Sequence, residues 1–108
     1  MKKLALFATL LLLVFAGTAL AADFPAKNIR LLVPFAAGGG TDAVARALAV
    51  AAEKHLGQSV VVMNRTGGSG AVGMTEGATA KADGYTVTMI TREIAWLPQM
   101  GLAQITPD

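Results

Sequence analysis

A chain of 108 residues with nine basic and seven acidic side chains falls within the size of one domain. Its formal charge of +2 belongs to Lys2 and Lys3, so the remainder is neutral and offers no bulk attraction for nucleic acid or an anionic membrane. The absence of cysteine excludes a disulfide framework, a thiolate nucleophile, a zinc-thiolate centre and a lipid anchor on cysteine.

Met1-Lys2-Lys3, an apolar stretch over 4–15 and the small-residue site Ala19-Leu20-Ala21 together describe a secretory signal peptide over residues 1–21. The uninterrupted apolar stretch is shorter than the ~20 residues a membrane span requires. Cleavage near Ala21 is therefore expected to release residues 22–108 outside the cytoplasm, without membrane insertion.

After a polar lead-in, residues 29–35 (I-R-L-L-V-P-F) form a nearly continuous apolar run ended by Pro34, the pattern of a strand buried on both faces. Next come Gly38, Gly39 and Gly40, and then an alanine-rich helix expected over 41–56. Thr41 or Asp42 is expected to cap that helix and Gly57 to stop it, with Val44, Leu48, Ala51 and His55 on its core stripe. Residues 60–63 (V-V-V-M) make a second apolar strand, which leads into the Gly-rich stretch N-R-T-G-G-S-G-A-V-G at 64–73. A helix over 71–82, weakened by Gly73 and Gly77, precedes a third strand at 85–90 and a short helical start at 94–100. Strand, helix, strand, helix, strand predicts a parallel α/β sheet with right-handed crossovers.

In such sheets ligands sit beyond the carboxyl ends of the strands. Topology thus brings 35–42, 66–70 and 91–93 to one edge. Glycines admit close approach of the main chain, and the first helix directs unpaired N–H groups to the same place, so an anion is the expected guest. Asp42 has two readings, as a helix-cap acid or as an acceptor for a ligand hydroxyl or ammonium. Arg65 and Arg92 are either solvated or partners for a carboxylate.

Gly68-Ser69-Gly70-Ala71-Val72-Gly73 also fits G-x-G-x-x-G, with Glu93 twenty residues further on, which keeps a small dinucleotide-binding oxidoreductase as an alternative. The fingerprint belongs after the first strand, however, and this copy follows the second. No lysine follows for a P-loop, and the only histidine, His55, lies at the far end of its helix from any Gly-rich edge. No catalytic constellation or metal cluster is visible, and no cofactor is expected.

The residues I-R-L-L-V-P-F-A-A-G-G-G-T-D-A-V-A-R-A-L-A at 29–49, L-G-Q-S-V-V-V-M-N-R-T-G-G-S-G-A-V-G at 56–73 and A-D-G-Y-T at 82–86 strongly resemble the Bug-type extracytoplasmic receptors of tripartite tricarboxylate transporters. The resemblance implies a periplasmic solute-binding protein, not an enzyme, that captures a small organic acid and delivers it to a membrane permease. It implies the Rossmann-like, parallel-sheet half of a type II periplasmic-binding-protein fold. It also implies an amino-terminal fragment, with 22–108 as the first part of domain 1 and with a truncated exported domain of no function as the bland alternative. Ligand binding by the chain alone is then expected to be weak. In the family the ligand carboxylate is held by backbone amides and bridging waters of two loops. On this chain those loops map to Phe35, Gly38, Gly39, Gly40, Thr41 and Asp42, and to Gly67, Gly68, Ser69, Gly70 and Ala71, with Thr91 as a third contribution. Ala36-Ala37, Met63, Thr66 and Ser69 depart from the usual family residues.

Overall fold

The structure, a computed structural model, describes residues 23–104. The expected signal peptide and the last four residues lie outside that range.

Three parallel strands form the sheet: β1 (Ile29–Val33), β2 (Val60–Asn64) and β3 (Thr86–Thr88), in the order β2-β1-β3. Helix α1 (Gly40–Leu56) joins β1 to β2, and α2 (Ala71–Thr79) joins β2 to β3, so the expected alternation is the observed one. Short 3-10 turns cover Gly68–Gly70 and Arg92–Ala95, the latter in place of the helix expected to start at 94. β1 and β3 are shorter than the runs expected for them, because Pro34 ends β1 and β3 spans only three residues, whereas β2 extends one residue further, to Asn64.

As the central strand, β1 carries the core. Leu31 and Val33 face α1 and meet Ala45, with Val60, Val62 and Met89 packed around them. Leu32 lies on the other side of the strand and is completely buried. A second cluster joins Ala71 and Met74 of α2 to Leu97 beyond β3.

The core stripe of α1 differs from the expected one. Ala45 and Ala49 are buried, whereas Val44 and Leu48 are more than half exposed, and His55 is exposed at the helix end. Small side chains let the helix lie close to the sheet, so the alanines take the contact and the larger residues are turned aside. An apolar groove is left between α1 and β3, bordered by Leu48, Ala52 and Val87.

Gly73 and Gly77 have a positive role in α2. A Cβ at Gly73 would stand 2.7 Å from the Arg65 carbonyl oxygen and 2.7 Å from Pro34 Cα, and one at Gly77 would meet the Thr88 side chain. Their loss of helix propensity is the condition for α2 to lie on the sheet.

Candidate functional site

Parallel pairing decides where the loops emerge. Val33 and Asn64, the last residues of β1 and β2, stand opposite each other. The ladder then continues, with Arg65 N–H donating to the Val33 carbonyl at 2.8 Å and Met89 N–H to the Leu32 carbonyl at 2.9 Å. All three strands therefore deliver their following segments to one end of the sheet. Both glycine clusters and Thr91 lie at that end.

There Phe35, Thr41, Thr91, Arg92 and Glu93 line a shallow, open cavity of about 500 Å³. Gly39 is the N-cap of α1 and supplies no side chain to it, so neither Thr41 nor Asp42 occupies the cap position expected of them. The N–H groups of Gly40 and Thr41 precede any possible intrahelical acceptor and enter none of the loop hydrogen bonds. They form the unpaired positive end of a 17-residue helix, of which Thr41 borders the cavity while Gly38, Gly39 and Gly40 are outside its lining. Gly38 needs glycine's freedom, with φ of 83°, but Gly39 and Gly40 do not: an added Cβ at Gly40 would meet nothing within 4 Å.

Asp42 is turned away from solvent, only 2% exposed, and both its carboxylate oxygens are occupied. Oδ2 accepts from Arg46 Nε and from Gly38 N–H, each at 2.8 Å, and Oδ1 accepts from Asn64 Nδ2 at 2.9 Å. Arg46 first, then the Gly38 N–H and the Asn64 amide, hold this carboxyl well below the usual carboxylate range. Asn64 Nδ2 also donates to the Phe35 carbonyl at 2.9 Å. Asp42 is thus neither the cap nor the open acceptor expected from the sequence. With Asn64 and Arg46 it fastens the first glycine loop to the end of β2.

The second loop runs through four successive positive φ angles, at Gly67, Gly68, Ser69 and Gly70. Ser69, at φ 53°, is the one non-glycine residue among the described residues in that region. Gly70 N–H and Ala71 N–H close back on the carbonyls of Gly67 and Gly68. Gly70 sits under the Phe35 ring, where an added Cβ would be 3.2 Å from its edge, so Phe35 connects the two loops. Gly67, Gly68 and Ser69 are exposed beyond that ring and do not border the cavity. The Ala71 side chain belongs to the core with Met74 and Leu97.

The two arginines separate clearly. Arg65 Nε pairs with Glu76 Oε2 at 2.9 Å, whereas Arg92, 84% exposed at the cavity, has its Nε 3.8 Å from Glu93 Oε1 and its guanidinium 5.7 Å from the Trp96 ring centre. Thr91 Oγ1 and Glu93 Oε2 are buried there without a completed hydrogen bond within the described residues. The neighbouring Thr91 hydroxyl is nonetheless the chief influence that holds the Glu93 carboxyl below its ordinary value. Helix-end amides, two hydroxyls and an exposed guanidinium suit an oxyanion, with Glu93 Oε2 able to accept from a ligand donor. Sequence reasoning did not find Arg46 and Asn64. The i, i+4 spacing of Asp42 and Arg46 was a usable signal, but nothing local pointed to Asn64.

The sequence model described as the tripartite tricarboxylate transporter family receptor matches residues 44–104. BugT of Bordetella pertussis (strain Tohama I) is 47% identical over 66 residues, which cover 61% of this chain and 20% of BugT. The structure of the periplasmic binding protein BugD is similar with a TM-score of 0.67 at 41% identity, over 69% of this chain and 25% of BugD. That of R. palustris Rpa4515 with adipate gives a TM-score of 0.65 at 43% identity, over 67% of this chain and 24% of Rpa4515. The chain spans between a fifth and a quarter of the length of these relatives. With more than half of its residues inside the family match, the chain belongs to the tripartite tricarboxylate transporter receptor family.

Proposed function

We propose that the chain contributes one wall of a periplasmic receptor site for a small carboxylate, and that the receptor hands this ligand to membrane permease subunits of a tripartite transporter. One carboxylate oxygen is received by the unpaired N–H groups of Gly40 and Thr41, with Arg92 close by as the neutralising cation. The observation that carries this reading is the unpartnered amide end of α1, whose Thr41 borders a cavity that also holds the exposed Arg92 guanidinium beside Glu93. The Gly67–Ser69 amides form the second half of the grip, reached across Phe35. The adipate bound to Rpa4515 supports a dicarboxylate as the first ligand to try. No catalytic step is assigned. Gly73, the third glycine of G-x-G-x-x-G, is accounted for by its packing on Pro34 and Arg65, so a dinucleotide is not needed to explain it.

A ligand enclosed on one side only is held weakly. Titration of the ¹⁵N-labelled chain with adipate and citrate, followed by NMR, is expected to give millimolar binding, with the largest shifts at Gly39, Gly40, Thr41 and Arg92. Shifts confined to other surfaces, or a response to NADH at 67–73 in place of the acids, would overturn the reading.

A further inference from the structure

A second cleft lies at the opposite, amino-terminal end of the strands. It encloses about 420 Å³ between Lys27, Arg30, Lys81, Asp83, Tyr85 and Thr86. Three cations share it with one carboxylate, and that carboxylate is already engaged. Asp83 Oδ1 accepts from Tyr85 N–H at 3.0 Å, and its Oδ2 lies 3.7 Å from Lys81 Nζ, the cleft's only ion pair among the described residues. The Tyr85 N–H, followed by Lys81 and Lys27, holds this carboxyl below its ordinary value, so it stays charged and bound inward.

Two of the cations are also held in place. Lys27 Nζ stands 4.5 Å from the Tyr85 ring centre, and Arg30 Nη2 donates to Thr86 Oγ1 at 2.9 Å. The Tyr85 platform is itself fixed, because its hydroxyl accepts from Ala26 N–H at 2.9 Å and its ring packs 5.0 Å from that of Phe24. A chain that is neutral after residue 21 thus concentrates a local excess of two positive charges on one preorganised face.

We propose that this cleft docks an acidic segment of a protein partner, whose carboxylates meet Arg30, Lys27 and Lys81 together. A lone small anion gains little from exposed cations such as Lys81, 86% exposed, since water and salt compete for each contact. A segment carrying several carboxylates neutralises all three at once and is steered to them from a distance. The cleft is at the other end of the sheet from the glycine loops, so the partner leaves the cavity beside Arg92 open. The two sites stand or fall separately.

The test is an NMR titration of the chain at low salt with an eight-residue Asp/Glu peptide, with inorganic phosphate and phosphatidylglycerol vesicles as parallel arms. The peptide is expected to shift Lys27, Arg30, Lys81 and Tyr85 and to bind at least tenfold more tightly than phosphate. The Lys27→Glu/Lys81→Glu double variant should weaken it at least tenfold. Lys81→Glu alone, at a side chain that packs on nothing, should weaken it about threefold. Lys54→Glu, outside the cleft, should leave it unchanged. Equal affinity for phosphate, preference for the vesicles, or unchanged peptide binding by both Lys81 variants would overturn the proposal.

Discussion

Replacing Gly73 with alanine is expected to lower the thermal midpoint by more than about 12 °C. The added carbon would stand 2.7 Å from both the Arg65 carbonyl oxygen and Pro34 Cα, and 2.9 Å from Pro34 Cβ. None of these atoms can rotate away, since each is backbone or proline ring. Relief requires α2 to lift off the end of β1, and the contact between Gly70 and the Phe35 ring goes with it. Overpacking of this kind costs about 3 kcal/mol, the upper part of its usual range, because two backbone segments obstruct the same methyl. Gly57→Ala provides the comparison: its Cβ would meet nothing within 4 Å, and only its φ of 66° is disfavoured, at a cost of about 1 kcal/mol. Thermal melts followed by circular dichroism rank the two. A Gly73→Ala midpoint equal to or above that of Gly57→Ala would show that close packing of α2 is not what the glycine supplies.

The second large effect is expected at Asp42. Asp42→Asn keeps the shape but removes the charge that receives Arg46 Nε, and places an amide where one oxygen now accepts from Gly38 N–H or Asn64 Nδ2. A buried donor facing a donor is expected to lower the thermal midpoint by roughly 10 °C and to loosen the loop from Phe35 to Gly38. The pH dependence has a definite sign. Because the folded carboxyl titrates well below its ordinary value of 3.8, the unfolded chain takes up the proton first. The stabilisation is complete above the unfolded value and drains as pH falls from there towards the folded one. Melts from pH 7 down to pH 2.5 should therefore be level until roughly pH 5 and then decline. The decline should be shallower in Asp42→Asn, where the lowered carboxyls of Asp83 and Glu93 remain to give a slope of the same sign. Equal slopes in the two proteins would remove Asp42 from the network.

The fold was legible in the sequence wherever one interaction dominated. The mostly apolar run at 29–33, interrupted only by the exposed Arg30, read as a buried strand, and the glycines and Pro34 punctuated it where the structure does. Parallel pairing then placed both glycine clusters on one edge by topology alone. The face of α1 was not legible, because its alanines carry almost no periodic signal beside Val44 and Leu48, and how closely the helix approaches the sheet decides which of them is covered. Asp42 was read as a helix cap or as an acceptor for a ligand, whereas its carboxylate is held by Gly38, Arg46 and Asn64 within the fold. Its Oδ1 is taken by Asn64, 22 positions away, a contact that exists only once β2 lies beside β1. Arg65 and Arg92 looked alike as neighbours of turns, and only α2, by carrying Glu76 to Arg65, tells them apart.

The central claim is that main-chain amides at the start of α1 grip a carboxylate, and Gly40 tests it most directly. Its Cβ position is open and its backbone is already helical, so Gly40→Val should fold as the parent does while a branched side chain covers the Gly40 and Thr41 amides. Adipate titrations of the two proteins, followed by NMR, should then show a loss of at least fivefold in affinity at an unchanged thermal midpoint. Unchanged affinity in a fully folded Gly40→Val would contradict the account.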